Sequence, residues 1–148
     1  MYSISDFEFK FFKDHFWILQ MISPEIGASS DAMVENIIEI DFNSTNPNSI
    51  KSLKEIYYIF QKFLRNYNLQ NPPSQGSWHK FLYDEVDRWS DTEEEAYEWV
   101  CDIAKIYARK LRERGLITSE EESHLFTGSI VHLKEEDKWA LKGYDIEP

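Results

Sequence analysis

The chain has a single cysteine, Cys101, so no disulfide can close within it, and a reducing compartment is expected. Its five glycines (27, 76, 115, 128 and 143) all stand alone. That excludes a Gly-x-Gly-x-x-Gly turn or a phosphate loop, both of which need neighbouring glycines to bring backbone N–H groups onto a phosphate. No apolar run approaches the ~20 residues of a membrane span. The start, Met1 to Asp6, lacks the basic, then apolar, then small-residue order of a signal peptide. A cytoplasmic protein without a membrane association is the expectation.

Positive charge is scarce as well. The formal net charge is −11, from 16 Lys and Arg against 27 Asp and Glu. The imbalance is uneven: residues 1–83 carry 9 acids and 7 bases, whereas residues 84–148 carry 18 acids and 9 bases. Such a surface repels phosphates, so direct nucleic-acid binding is not expected. It suits a basic partner and would speed encounter with one, although acidity also serves solubility alone.

Aromatic residues, by contrast, are plentiful at 16%, which speaks against disorder. A chain of 148 residues reads as one domain, 1–148, able to bury roughly two-thirds of its unfolded surface. The clearest element runs from Asp91 to Gly115. Thr92 and Glu95 have capping-box spacing, and Ala96, Trp99, Val100, Ile103, Ala104, Tyr107 and Leu111 recur at helical steps. Acids crowd its start, while Arg109, Lys110, Arg112 and Arg114 crowd its end, as the helix dipole favours. Gly115 offers the left-handed residue that closes it.

Elsewhere the pattern predicts a helix over 5–22 in preference to a strand, and a helix capped by Ser29 or Ser30 with Met33, Val34, Ile37 and Ile38 inward. A long helix follows from Ser49 to Tyr67, with an apolar face wide enough for burial on more than one side. Asn68 to Gly76, around Pro72-Pro73, reads as a loop crossing the surface. Ser77 caps a helix carrying Trp78, Phe81, Leu82, Val86 and Trp89. Thr118 and Glu121 start a short helix through Leu125, residues 130–133 are open between helix and strand, and Glu135 to Leu141 reads as helix. The expected class is all-α, an irregular bundle of six or seven helices.

Sites for chemistry are few. Glu121-x-x-His124 has the spacing of a di-iron ligand pair, but no other histidine has a glutamate three residues before it, and an ordinary surface or boundary histidine is preferred. Cys101 lies among Glu98 and Asp102, which disfavour the thiolate, so it reads as a packed small residue. No catalytic residue, cofactor or metal is expected. The acids of Asp84 to Asp102 stand out more. Asp84–Arg88 has the spacing of an ion pair, but Glu94–Glu98 and Glu98–Asp102 are like charges four apart. Each such pair costs a helix about 0.2–0.5 kcal/mol. A row that stability alone would break with lysine points to a surface kept acidic for a partner. The candidate partner-binding residues are Asp84, Asp87, Trp89, Asp91, Glu94, Glu98 and Asp102, with Trp89 as aromatic anchor.

An acidic, aromatic-rich, helical chain with these features resembles the immunity proteins of bacterial contact-dependent growth-inhibition systems. The likeness is one of size, charge and helicity along the whole chain and matches no motif. It implies a binding protein that covers the basic cleft of a toxin domain, often a nuclease. Two alternatives stay open: a metal- or carboxylate-dependent enzyme whose site only the fold assembles, and an acidic mimic of nucleic acid.

Overall fold

The computed structural model describes residues 10, 13–14, 29–45, 48–73, 76–86 and 88–126, the side chains of 48, 85 and 86 excepted. Among them every regular element is helical. These are α1 (Ser30–Asn43), α2 (Asn48–Asn66), α3 (Trp78–Phe81) running into a π-helical turn (Leu82–Val86), α4 (Glu93–Glu113) and α5 (Ser119–Ser123). Lys10, Lys13 and Asp14 are also helical. The rest of 5–22 and the expected elements at 130–133 and 135–141 lie outside the described residues. No helix among the described residues is long and apolar enough to cross a membrane.

Helix α4 is the beam on which the others rest. Its inner face buries Ala96, Val100, Cys101, Ile103, Ala104, Tyr107, Ala108 and Leu111. Helices α1, α2, α3 and α5 all pack against it. Thr92 caps its start by accepting the Glu95 N–H at 3.1 Å. The reciprocal half of the expected capping box is displaced by one residue, because the Glu95 carboxylate takes the Asp91 N–H at 3.2 Å. At the other end Gly115 has φ +77°, the Leu116 N–H reaches the Leu111 carbonyl and the Gly115 N–H that of Arg112. This is a Schellman closure, with Leu116 folded back on the apolar side.

The four basic residues near that end do more than answer the dipole. Lys110 bridges Asp31 and Glu35 of α1 at 3.1 and 2.7 Å, Arg114 reaches Glu35 at 2.6 Å, and Arg109 pairs with Asp31. Arg112 holds Glu122 of α5. Asp31 and Glu35 are both drawn below the usual carboxylate range, first by the Lys110 hydrogen bond in each case. Burial works against the Lys110 charge, but the bonds from Glu35 and Asp31 outweigh it and raise its pKa.

Helix α2 is covered on several sides, as its wide apolar face requires. Leu53, Ile56, Tyr57, Ile59, Phe60, Phe63 and Leu64 are all buried. Its far side anchors α5: the Tyr57 hydroxyl donates to the Glu121 carbonyl, and Gln61 and Arg65 donate to the His124 carbonyl. Helix α5 itself is shorter than expected, ending at Ser123, and its Thr118–Glu121 capping box is complete. The loop after α2 is not wholly a surface crossing. Asn68 accepts the Gln70 and Asn71 N–H groups in a side-chain-closed turn, its carbonyl takes the Trp78 indole N–H at 2.7 Å, and Pro73 is buried.

One half-buried acid works against the fold at neutral pH. Burial pushes the Asp41 carboxyl up from 3.8 to about 6. A folded-state pKa above the unfolded one means the folded protein holds the proton more tightly. Stability from this group is therefore full below about pH 4 and is lost as the pH rises through 6. The shift corresponds to under ~3 kcal/mol, discounted to ~1 kcal/mol for a group that keeps contact with solvent. Asp41→Asn should accordingly stabilise the protein by ~1 kcal/mol near pH 7 and by nothing near pH 4. Urea unfolding at the two pH values checks this; an equal effect at both would remove the charge from the explanation.

Candidate functional site

The acidic stretch divides once the fold is in place, because one member is structural. Glu93 lies at the start of α4, and its carboxylate caps α3 in space. It accepts from the Trp78 N–H, from the His79 N–H at 3.0 Å and from the Ser77 hydroxyl at 2.9 Å. Burial pushes its pKa up, but those three donors prevail and hold it below the usual range. Ser77 meanwhile caps the same helix by accepting from Lys80.

The helix expected from Ser77 through Trp89 does not continue that far. After Phe81 it widens into the π turn, and the Arg88 N–H closes back on the Leu82 carbonyl at 3.0 Å. Two expectations change as a result. The Asp84–Arg88 pair needs unbroken α geometry and does not form; the Arg88 guanidinium lies 4.1 Å over the Trp99 ring. Trp89 leaves the apolar face on which helical spacing had placed it and is 65% exposed.

That exposed indole is held in place. Its N–H donates to Asp91 Oδ1 at 3.1 Å, and its ring stands perpendicular to both His79 (centroids 4.6 Å, 85°) and Tyr83 (5.9 Å, 84°). His79 Nδ1 is 3.1 Å from the Ser90 hydroxyl, which ties the linker to α3. Tyr83 is itself 55% exposed. From Asp91 the outer face of α4 continues through Glu94, Glu98 and Asp102, all exposed. Glu94, Glu98 and Asp102 are four residues apart and so form one stripe.

Among the described residues, no lysine, arginine or histidine is within ion-pair distance of Asp84, Glu94, Glu98 or Asp102. This contrasts with Asp31, Glu35, Glu113 and Glu122, each bound to a base. The structure thus brings Trp89, Asp91, Glu94, Glu98 and Asp102 into one run. Asp84 is exposed on the π turn next to Tyr83, and Asp87 lies outside the described residues. Sequence reasoning missed His79 and Tyr83. Their four-residue separation on a predicted helix was the available signal, since it sets both on one face.

The other candidates resolve into structural roles. Glu121 Oε1 accepts the Thr118 N–H at 2.9 Å, and His124 ends α5 as its C-cap, so the pair serves the helix termini. No group of three or more His, Cys, Asp or Glu suited to a metal ion occurs among the described residues. Cys101 is buried and its pKa is raised; burial is the first cause, and the Asp102 and Glu98 charges add to it. The outer face of α4 thus carries carboxylates that have no ion-pair partner among the described residues, and a held, exposed aromatic group lies just before the helix. A scan against protein-family models and searches of curated proteins and of solved structures found no match to this chain.

Proposed function

We propose that this chain is a binding protein that neutralises a cognate basic partner, and that its setting is that of an immunity protein acting in the cytoplasm against a nuclease-type toxin. The observation that carries the reading is the acidic stripe of α4, without an ion-pair partner among the described residues, with exposed Trp89 just before the helix. Among the described residues the bases pair with Asp31 and Glu35 of α1 and with Glu122 of α5, while Glu94, Glu98 and Asp102 face solvent without an ion-pair partner. A nuclease cleft is lined with lysine and arginine for phosphate, and such a row complements it in charge and steers the encounter. Trp89, exposed yet pinned, has the character of an interface hot spot, because little freedom remains to be lost on binding. In this reading 5–22 and 135–141 complete the bundle of six or seven helices, and Asp84 and Asp87 extend the acidic face.

The reading separates stability from function at one residue. Glu98 repels both Glu94 and Asp102, so Glu98→Lys replaces two repulsions by two attractions. The free protein should gain ~1 kcal/mol. Its affinity for the proposed toxin partner should fall at the same time, with loss of protection against that partner's nuclease activity. Urea unfolding and calorimetric titration read the two effects. A stabilised variant that binds and protects as well as the parent would show that the row is not the docking face.

A further inference from the structure

We propose that the corner between the Trp89 and Tyr83 rings receives an arginine side chain of the basic partner, so that the site selects guanidinium over ammonium. This rests on the acidic face being the docking face and names what it grips. The two rings meet edge to face at 84° with centroids 5.9 Å apart, and both are more than half exposed. Asp91 is exposed and its Oδ1 accepts the indole N–H of Trp89, which sets a carboxylate beside that ring. A planar guanidinium can lie on a ring and donate to a carboxylate at once; an ammonium is a point charge without that plane.

No cation among the described residues lies on either ring of the corner. Among the described residues Arg88 lies 4.1 Å from the Trp99 ring and Arg114 4.7 Å from that of Phe42, while Lys62 and Lys105 sit farther out, at 5.3 Å from Tyr58 and 5.6 Å from Phe126. The occupant is therefore chosen by charge, since the Asp91 carboxylate is bonded to the indole, and by shape, since a flat cation can lie on an exposed ring. The hydrogen bond to Asp91 and the His79 contact hold the indole ready before the partner arrives.

The test uses the full chain with two probes, a short oligo-arginine peptide and an oligo-lysine peptide of equal length, titrated at low salt. The arginine peptide should bind about two- to five-fold more tightly. Trp89→Ala should bring that ratio close to one while leaving the lysine peptide's affinity in place, and Trp89→Phe, which keeps a ring face, should retain a preference. Glu98→Gln should weaken both peptides alike. A ratio near one in the parent protein, or a preference that survives Trp89→Ala, overturns the arginine site and leaves the acidic docking face standing. Failure of both peptides to bind overturns the docking face and the arginine site together.

Discussion

Trp78→Ala is expected to lower the unfolding free energy by about 3–5 kcal/mol, the largest single-residue effect in the molecule. The indole is completely buried where four parts of the chain meet. It packs edge-on against Phe63 of α2 and Phe81 of α3, and lies 5.0 Å from the Tyr97 ring of α4. Its N–H also satisfies the Asn68 carbonyl at the exit of α2. Alanine would leave a cavity among rigid rings that cannot collapse into it, and would strand that carbonyl. Urea unfolding measures the loss. A decrease under about 1 kcal/mol would mean the surroundings close over the gap, and that the aromatic cluster is looser than its geometry implies.

Glu93→Gln comes next, with an expected loss of about 2 kcal/mol. Both carboxylate oxygens of Glu93 accept from donors at the start of α3, so an amide nitrogen in either position would face an N–H. The effect depends on pH. Because its folded-state pKa is lowered from 4.5, the stability it contributes is present above that value and is lost as the pH falls through the lower folded-state one. The parent and the variant should therefore converge in acid. A difference that persists undiminished in acid would place the cause in side-chain packing. The linker that carries Trp89 should loosen in the variant, since Glu93 and His79 together fix its path, and this couples a buried cap to the proposed binding face.

What was legible in the sequence follows from which forces are local. Helix α4, its threonine cap and its glycine stop rest on spacings of three and four residues and on one left-handed position, all readable along the chain. The same holds for α1, α2 and the Thr118–Glu121 box. The π turn after Phe81 was not readable. Leu82 and Val86 have ordinary helical spacing, and the widening shows itself in a backbone closure from Arg88 to Leu82 that no pattern encodes. Trp89 was thus placed on an apolar face when the chain had already left the helix. The role of Glu93 was hidden for a related reason: its position explained it fully as a first-turn acid, while its partners lie some fifteen residues earlier. Asp31 and Glu35 share the four-residue spacing of Lys110 and Arg114, so the clamp between α1 and α4 was written in matched intervals, but only the tertiary pairing reveals it. The acidic stripe itself was readable, because its members repeat on one helix. That no base among the described residues pairs with it was not, since this depends on where lysines and arginines distant in sequence end up.

The most direct measurement is the affinity of the full chain for a basic nuclease toxin domain, the partner proposed for it, from about 0.1 M to about 1 M salt, as the screening length falls from about 10 to about 3 Å. The parent protein should lose at least about ten-fold in affinity over that range, mostly through a slower association. A variant with Glu94→Gln, Glu98→Gln and Asp102→Asn should begin weaker and show a flatter salt dependence. An affinity indifferent to salt and to those three substitutions would contradict the account.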